Sequence, residues 1–568
     1  MKKLFRSFIV LMMAFSMMAC QKQEPVEDPK VQEAFNAYLD EKYIAYFEDS
    51  YFNYYDLFHP ETLGVTKPEV RWWHYTVEEF EKTIKDSKEE LEKLHTFDKN
   101  VLTQDQQNLY LTFEKNLQNN IELEKYLDFS FPFKSNGVQE TLIGYFTEWR
   151  AVDEEKLEDY IVLIEDSGRV IDECIEWTQK QKEKGLLQNE GVKASILDYC
   201  RNFLESKEIE KHAQAMIDKL ELSTDKQETY MKRISDGVDQ VIKPAYKRII
   251  ELYENLPVAE NQKGYYYDEN GKEYYEYMIH SITVSNRSMS QWMNMLEKAI
   301  DEHLDYTINL MISDPDLITK LSNAVYPIDN AKDCLEYHSM HLEDYPEIQK
   351  VDYSVNYLDA SVAQDMVSAY YVNPPIDDVT ENVIKVNPNK KNIGDIYATL
   401  AHEGFPGHLY YSNYINQNAN HPIKKVISNL TLIEGWATYV AAESYQWSGL
   451  DESVIEYYSL MEGFGYLVEE YIDMKIHYEG WGVDEIRNYL DKMGLKTSIA
   501  EAVYDSLITN PAILAPYGLG YLEMYELRKQ CEQSQKDAFD LKEFHRVILD
   551  CGAISLDALE NTINNYCK

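Results

Sequence analysis

From residue 31 to about 260 the chain reads as successive amphipathic helices, and no other feature limits its fold as much. Val77, Phe80, Ile84, Leu91 and Leu94 recur at helical spacing with Glu and Lys between them. Pro and Gly are sparse here, so little forces a break. The aromatic pairs Trp72-Trp73 and Tyr54-Tyr55 suit core packing, and no catalytic constellation is visible in this half. A predominantly α fold follows. The texture changes near Lys263-Gly264-Tyr265-Tyr266-Tyr267. Asn270-Gly271 is a turn signal between two Tyr-rich runs, with a helix expected from Tyr274 to His280. Asn373-Pro374-Pro375 breaks structure again. Val383 to Val386 is a short strand candidate bounded by Asn387-Pro388-Asn389, and a helix is expected from Ile393.

Asp and Glu number 99 against 55 Lys and Arg, a formal net charge of −44. Such a chain is a poor partner for nucleic acid or for anionic lipid, because both need a basic face. The acidity reads as a solvated, self-repelling surface.

The N-terminus sets the compartment. Met1-Lys2-Lys3-Leu4-Phe5-Arg6 is basic, Phe8 to Phe15 is apolar, and Ser16-Met17-Met18-Ala19-Cys20 follows. This is a secretory signal over residues 1–19, with an apolar core too short to span a membrane. Cys directly after Ala looks like a bacterial lipobox, although Met17 stands where Leu is usual. The expectation is a protein outside the cytoplasm, attached to the bacterial membrane by lipid on Cys20; an ordinary cleaved signal or a short anchor is the alternative. Residues 20–30 read as a tether. No other apolar stretch approaches ~20 residues. With Cys20 acylated, Cys174, Cys200, Cys334, Cys531, Cys551 and Cys567 remain. Disulfides are permitted in that compartment, but the wide spacing without CxxC favours buried free thiols.

The chemistry is concentrated after residue 400. Leu400-Ala401-His402-Glu403-Gly404-Phe405-Pro406-Gly407-His408 holds the parts of a zinc-hydrolase helix: two imidazoles and a carboxylate. In the usual HExxH the two His are four apart and share a helix face. Here they are six apart, about 240° round an unbroken helix, so both cannot reach one ion. Pro406 and the flanking Gly404 and Gly407 offer the remedy, a bulge or break that turns His408 back. Farther on, Leu430, Ile433, Ala437 and Ala441 mark a helix whose buried side carries Glu434 or its neighbour. A carboxylate amid Leu432, Ile433 and Trp436 is costly unless paired or metal-bound. His402, His408 and Glu434 therefore form an expected His₂Glu set for one zinc ion (Zn). Manganese or cobalt would suit the same donors.

These motifs resemble a known family. His-Glu-Gly-Phe-Pro-Gly-His followed by Glu434-Gly435-Trp436-Ala437 is similar to the bacterial domain of unknown function 885 family, of the gluzincin-like metallopeptidase superfamily. Further blocks agree: Asn373-Pro374-Pro375, Val386-Asn387, Asp473 through Trp481, Asn510-Pro511, Pro516 through Glu523, Leu527-Arg528 and Phe539 through His545. They cover most of residues 260 to 568. Many gluzincins place an acid four residues after the Glu ligand to support a His; here that position is Thr438, so such support must come from elsewhere.

The resemblance implies a gluzincin-like helical fold with a small β element before the active-site helix. A helical N-terminal region, 31–260, would face a catalytic region, 261–568, across a deep cleft. It implies hydrolysis of peptide bonds, with Glu403 moving the proton of the attacking water. The oxyanion donor would be Tyr517, Tyr521 or His477. His545 is nearer to a core histidine. Arg528 could hold a substrate carboxylate, as in a carboxypeptidase or dipeptidase, or make an i,i+4 surface pair. The strand at Val383 to Val386 could offer its edge to an extended peptide. Two rivals stay open: a peptide-binding lipoprotein without catalysis, and a metal-dependent hydrolase of another amide or ester. Oligomeric state is not readable.

Overall fold

Asp28 accepts the Lys30 N–H at 3.0 Å and Pro29 stands at the first helical position, a pairing that starts a helix. The helix Pro29–Asp49 thus begins inside the stretch read as tether. The computed structural model describes residues 28–358, 367–390 and 392–568. The signal segment, Cys20 and residues 21–27 of the tether lie outside the described residues.

The fold is predominantly helical. The stripe read from Val77 to Leu94 forms one helix, capped by Thr76, with Ile84 and Leu94 buried. Trp72 is fully buried, its indole N–H donating to Leu163 O at 2.8 Å, and Tyr55 stacks on Trp149. Packing does not follow chain order. Phe35, Leu39 and Phe47 of the first helix share a core with Trp292, Leu335, Trp436 and Phe544. A second core holds Trp72, Phe146, Tyr160, Ile171 and Tyr246. The stretch 31–260 contributes to both.

The β element has three strands: β1 (Tyr353–Tyr357), β2 (Ala369–Val372) and β3 (Asn382–Val386), in the order β1-β3-β2. β3 is the strand read from sequence. It pairs parallel with β1 and antiparallel with β2, Ile384 lying between Val355 and Tyr371. Both edges of β3 are used, so it cannot take up an extended peptide; among the described residues β2 has the free edge on that side. Asn387 N donates to Ser368 O at 2.9 Å, which places the outward-pointing amides of β2 at Ala369 and Tyr371.

Two boundaries differ from expectation. Asn270-Gly271 closes a turn, as read, with Gly271 N bonded to Asp268 O at 3.1 Å and Asn270 at the left-handed φ of 60°; the helix that follows is Gly271–Thr283 and so starts earlier than Tyr274. A Cβ on Gly271 would lie 2.2 Å from Tyr265 O, so the chain needs glycine there. The helix expected from Ile393 opens as a 3₁₀ turn, Ile393–Asp395, before the regular helix Tyr397–Glu403. The thiols also depart in one place. Cys531 and Cys567 form a disulfide, because the last helix, Leu556–Tyr566, packs back on Ala515–Gln535; their Cα atoms are 5.0 Å apart. Cys174, Cys200, Cys334 and Cys551 are buried and free. Among the described residues no helix is long and apolar enough to cross a membrane.

Helices Leu430–Ser444 and Ala515–Gln535 cross in backbone contact at Gly435 and Gly520. A Cβ on Gly520 would lie 2.1 Å from Thr431 O. Gly520→Ala is expected to lower stability by about 1–3 kcal/mol. Gly465, exposed on the helix Glu452–Glu479, has nothing within 4 Å of such a Cβ. Gly465→Ala should add roughly 0.5–1 kcal/mol, and urea denaturation of the two variants checks the opposed signs.

Candidate metal centre

The two imidazoles meet because the helix stops and restarts. Tyr397–Glu403 ends at Gly404, and His408–Asn418 begins immediately after Gly407. The Phe405-Pro406 peptide is cis. Gly407 N bonds to Ala401 O at 3.0 Å, and Tyr410 N to Gly404 O at 3.1 Å, so the connector is hydrogen-bonded to both helices. A Cβ on Gly407 would lie 1.8 Å from His402 O, a clash no side chain relieves. The break therefore needs glycine, and it brings the rings of His402 and His408 to 4.7 Å, nearly perpendicular.

Glu434, from Leu430–Ser444, completes the group. Its Oε2 lies 3.2 Å from His402 Nε2 and 3.4 Å from His408 Nε2. That oxygen is shut off from solvent and, despite these short approaches, has no hydrogen bond of acceptable geometry among the described residues. Zn–N and Zn–O bonds at tetrahedral angles put neighbouring donors about 3.3–3.5 Å apart. The donor types and spacings fit one such ion. Burial alone would raise the Glu434 pKa, but the two imidazoles outweigh it and hold the carboxyl at about 2. Burial likewise lowers His402, and Glu434, Glu403 and Glu462 more than reverse this, leaving it above its ordinary value.

Glu403 stands beside the group, Oε1 4.0 Å from His402 Nε2. Ligand atoms of His402, Glu403 and His408 all lie within 4.8 Å of one another. Glu403 Oε2 accepts the Tyr371 N–H from the free edge of β2 at 2.9 Å, which fixes its orientation. All four side chains open on a cavity of about 1150 Å³. Tyr46, Asp56 and Asn136 line it from the first half of the chain, and Tyr371, Lys425, Glu462, Tyr466 and Tyr517 from the second.

Of the three oxyanion candidates, Tyr517 reaches this cavity. Its ring stacks on Tyr466 at 5.4 Å and lies 6.2 Å from that of His402. Burial and then Glu434 push its phenol well above the usual range, so it keeps its proton and can donate. Tyr521, one turn on, is buried in the core against Gly463, its hydroxyl 3.3 Å from His303 Nε2. His477 is a structural staple. Its Nδ1 accepts the Tyr265 N–H, its Nε2 faces Leu507 O at 3.2 Å, and it borders a different pocket. Arg528 pairs with Glu443 at 2.5 Å and with Glu532 at 2.8 Å, and donates to Tyr439, leaving no fork for a substrate. His545 accepts from Tyr439 and bonds Asp344 O; burial holds it neutral, at about 3.

Sequence reading missed Glu462 and Tyr466. They stand i,i+4 on Glu452–Glu479, so one helix face carries both. Glu462, held by the Tyr445 hydroxyl at 3.0 Å, is the additional acid whose charge bears on His402. Thr438 Oγ1 is buried without a partner among the described residues and does not take that role.

The chain belongs to DUF885, a family described as bacterial protein of unknown function, whose profile matches residues 60–563. None of the curated proteins matches it. It is similar in fold to the crystal structure of a candidate lipoprotein from Colwellia psychrerythraea, with a TM-score of 0.79, 16% identity, and 94% of this chain and 99% of that one covered. A candidate lipoprotein of unknown function from Shewanella oneidensis shares the fold at a TM-score of 0.62, again at 16% identity with 94% and 99% covered.

Equilibrium dialysis against zinc should give one ion per wild-type chain and none in His408→Ala or Glu434→Ala. Because His402 sits above its ordinary value in the metal-free protein, uptake must displace a proton. Affinity, read by chelator competition, should therefore fall from pH 8 to pH 6; pH-independent affinity would contradict this assignment.

Proposed function

We propose that the protein is a zinc-dependent peptide hydrolase of the gluzincin-like kind, carried outside the cytoplasm on a lipid attached to Cys20. The observation that carries this reading is the solvent-free, unbonded Glu434 Oε2 at 3.2 and 3.4 Å from two imidazole nitrogens, with a second carboxylate held beside it. His402, His408 and Glu434 would hold the ion. Bound zinc polarises a carbonyl and lowers the pKa of water towards ~7.

The remaining roles belong to the chain. Glu403 has one oxygen tied to Tyr371 N–H and the other turned towards the metal group, so it can accept a proton from water at one position. The same carboxyl can then hand that proton to the departing amine. Tyr517 supplies a hydroxyl donor for the oxygen that gains charge, and stacking on Tyr466 holds its ring. The outer edge of β2, next to Glu403, offers the backbone groups of Ala369 and the carbonyl of Tyr371 to an extended peptide, the Tyr371 N–H being held by Glu403. Tyr46, Asp56 and Asn136 close the cavity from the other half of the chain and limit access of bulk water.

A panel of internally quenched peptides tests the reading. Cleavage should stop with chelator and return with zinc. Glu403→Gln should lose about 10²–10⁴-fold in kcat with its zinc content intact. Tyr517→Phe should lose about 10²–10³-fold in kcat with little change in KM. Full activity in Glu403→Gln would reject the proton-transfer role, and failure to cut any peptide would reject the substrate class.

A further inference from the structure

Lys425 lines the cavity that holds the metal group, and among the described residues it has neither a hydrogen-bond nor an ion-pair partner. A partly buried ammonium without a counter-charge is costly, and this chain has 99 acidic residues to supply one. Its neighbour shows the ordinary arrangement. Lys424 is buried, ion-paired to Asp105, and donates to Asp550 O at 2.7 Å. The two lysines close one 3₁₀ turn, Pro422–Lys425, which Val426 N and Ile427 N tie to Ile423 O. Anchoring by Lys424 and by buried Ile423 leaves the Lys425 backbone little freedom. The turn lies between the helix that begins with His408 and the helix that carries Glu434, so it is built into the wall of the same site.

The acid whose charge reaches Lys425 is Asp377, and it is already committed. Its two oxygens accept the Phe58 and His59 N–H groups at 2.8 and 2.6 Å. Burial pulls the Lys425 pKa below its ordinary value, as expected of an ammonium that has lost water without gaining a counter-charge. Arg528, the cation that the sequence put forward for a substrate carboxylate, is saturated elsewhere.

We propose that Lys425 anchors a carboxylate of the substrate, which makes this cavity selective for peptides that present one to the Lys425 wall. The choice of peptides rests on the hydrolase reading given above; the anchor itself rests on the unpaired lysine. The carboxylate has two sources, the C-terminus of a short peptide or an Asp or Glu side chain within a longer one. An ammonium so placed exchanges a poorly solvated charge for a charge-assisted hydrogen bond.

Calorimetric binding separates these cases. The protein is the zinc-loaded Glu403→Gln variant, with Lys425 intact or changed to Met or Arg. The probes are acetyl-Ala-Ala-Ala with a free carboxylate, its C-terminal amide, and the amide of acetyl-Ala-Glu-Ala. At least one carboxylate-bearing probe should bind about tenfold or more tightly than the neutral amide. That preference should vanish in Lys425→Met and persist in Lys425→Arg. Preference for the free acid places the carboxylate at the peptide end, and preference for the Glu amide places it on a side chain. Equal binding of all three probes, binding of none, or a preference that survives Lys425→Met would each overturn the anchor. If Lys425→Met does not fold, the comparison of acid with amide in the Lys425 protein and in Lys425→Arg still decides. A Lys425-dependent preference in a protein that cuts no peptide would keep the anchor and remove the hydrolase; cleavage indifferent to the carboxylate would do the reverse.

Discussion

One carboxylate oxygen holds the account together. Glu434 Oε2 is enclosed, unbonded, and equidistant within 0.2 Å from two imidazole nitrogens, 3.2 and 3.4 Å away. A carboxylate without hydrogen bonds in such a place costs several kcal/mol unless a compensating charge sits against it. The two imidazoles beside it meet part of that need, and a divalent cation would meet it more fully. The cost explains why the surroundings are so closely fixed.

The fixing is done by backbone contact rather than by side-chain reach. Gly407 lets the second helix start against the carbonyl of His402, and Gly435 and Gly520 let the helices of Glu434 and Tyr517 touch. Trp436, fully buried and two residues past Glu434, donates its indole N–H to Pro406 O at 3.0 Å. That bond joins the connector between the two histidines to the helix carrying the third donor. The β2 edge then holds Glu403 from the opposite side. Each ligand position is thus set by a different element, and the elements are tied to one another.

Much of this was legible in the sequence, for reasons that can be named. The six-residue histidine spacing is incompatible with one helix, and Gly-Pro-Gly admits a break; the structure resolves it as a full stop and restart. Glu434 was readable because an acid on an apolar stripe demands a partner. The late residues were not separable in the same way. Tyr517 and Tyr521 are one turn apart on the same helix, and only the packing of Gly463 against Tyr521 decides that one reaches the cavity and the other the core. His477 and Arg528 were chemically plausible, but their roles depend on Tyr265, Leu507, Glu443 and Tyr439, which are distant in sequence or hidden among 46 Tyr and 99 acids. β3 was found as a short apolar run, Val383 to Val386, stopped by Asn387-Pro388-Asn389, whereas its central position depends on two partner strands that sequence pattern alone does not order. The Cys531–Cys567 bond was likewise invisible, because it follows from how the last helices pack.

X-ray absorption at the zinc edge on the zinc-loaded protein tests the central claim most directly. The account predicts a four-coordinate ion with two imidazole nitrogens and a carboxylate oxygen at about 2.0–2.2 Å, and no such zinc signal from dialysed His408→Ala. A spectrum with sulfur ligands, or one unchanged in His408→Ala, would contradict it.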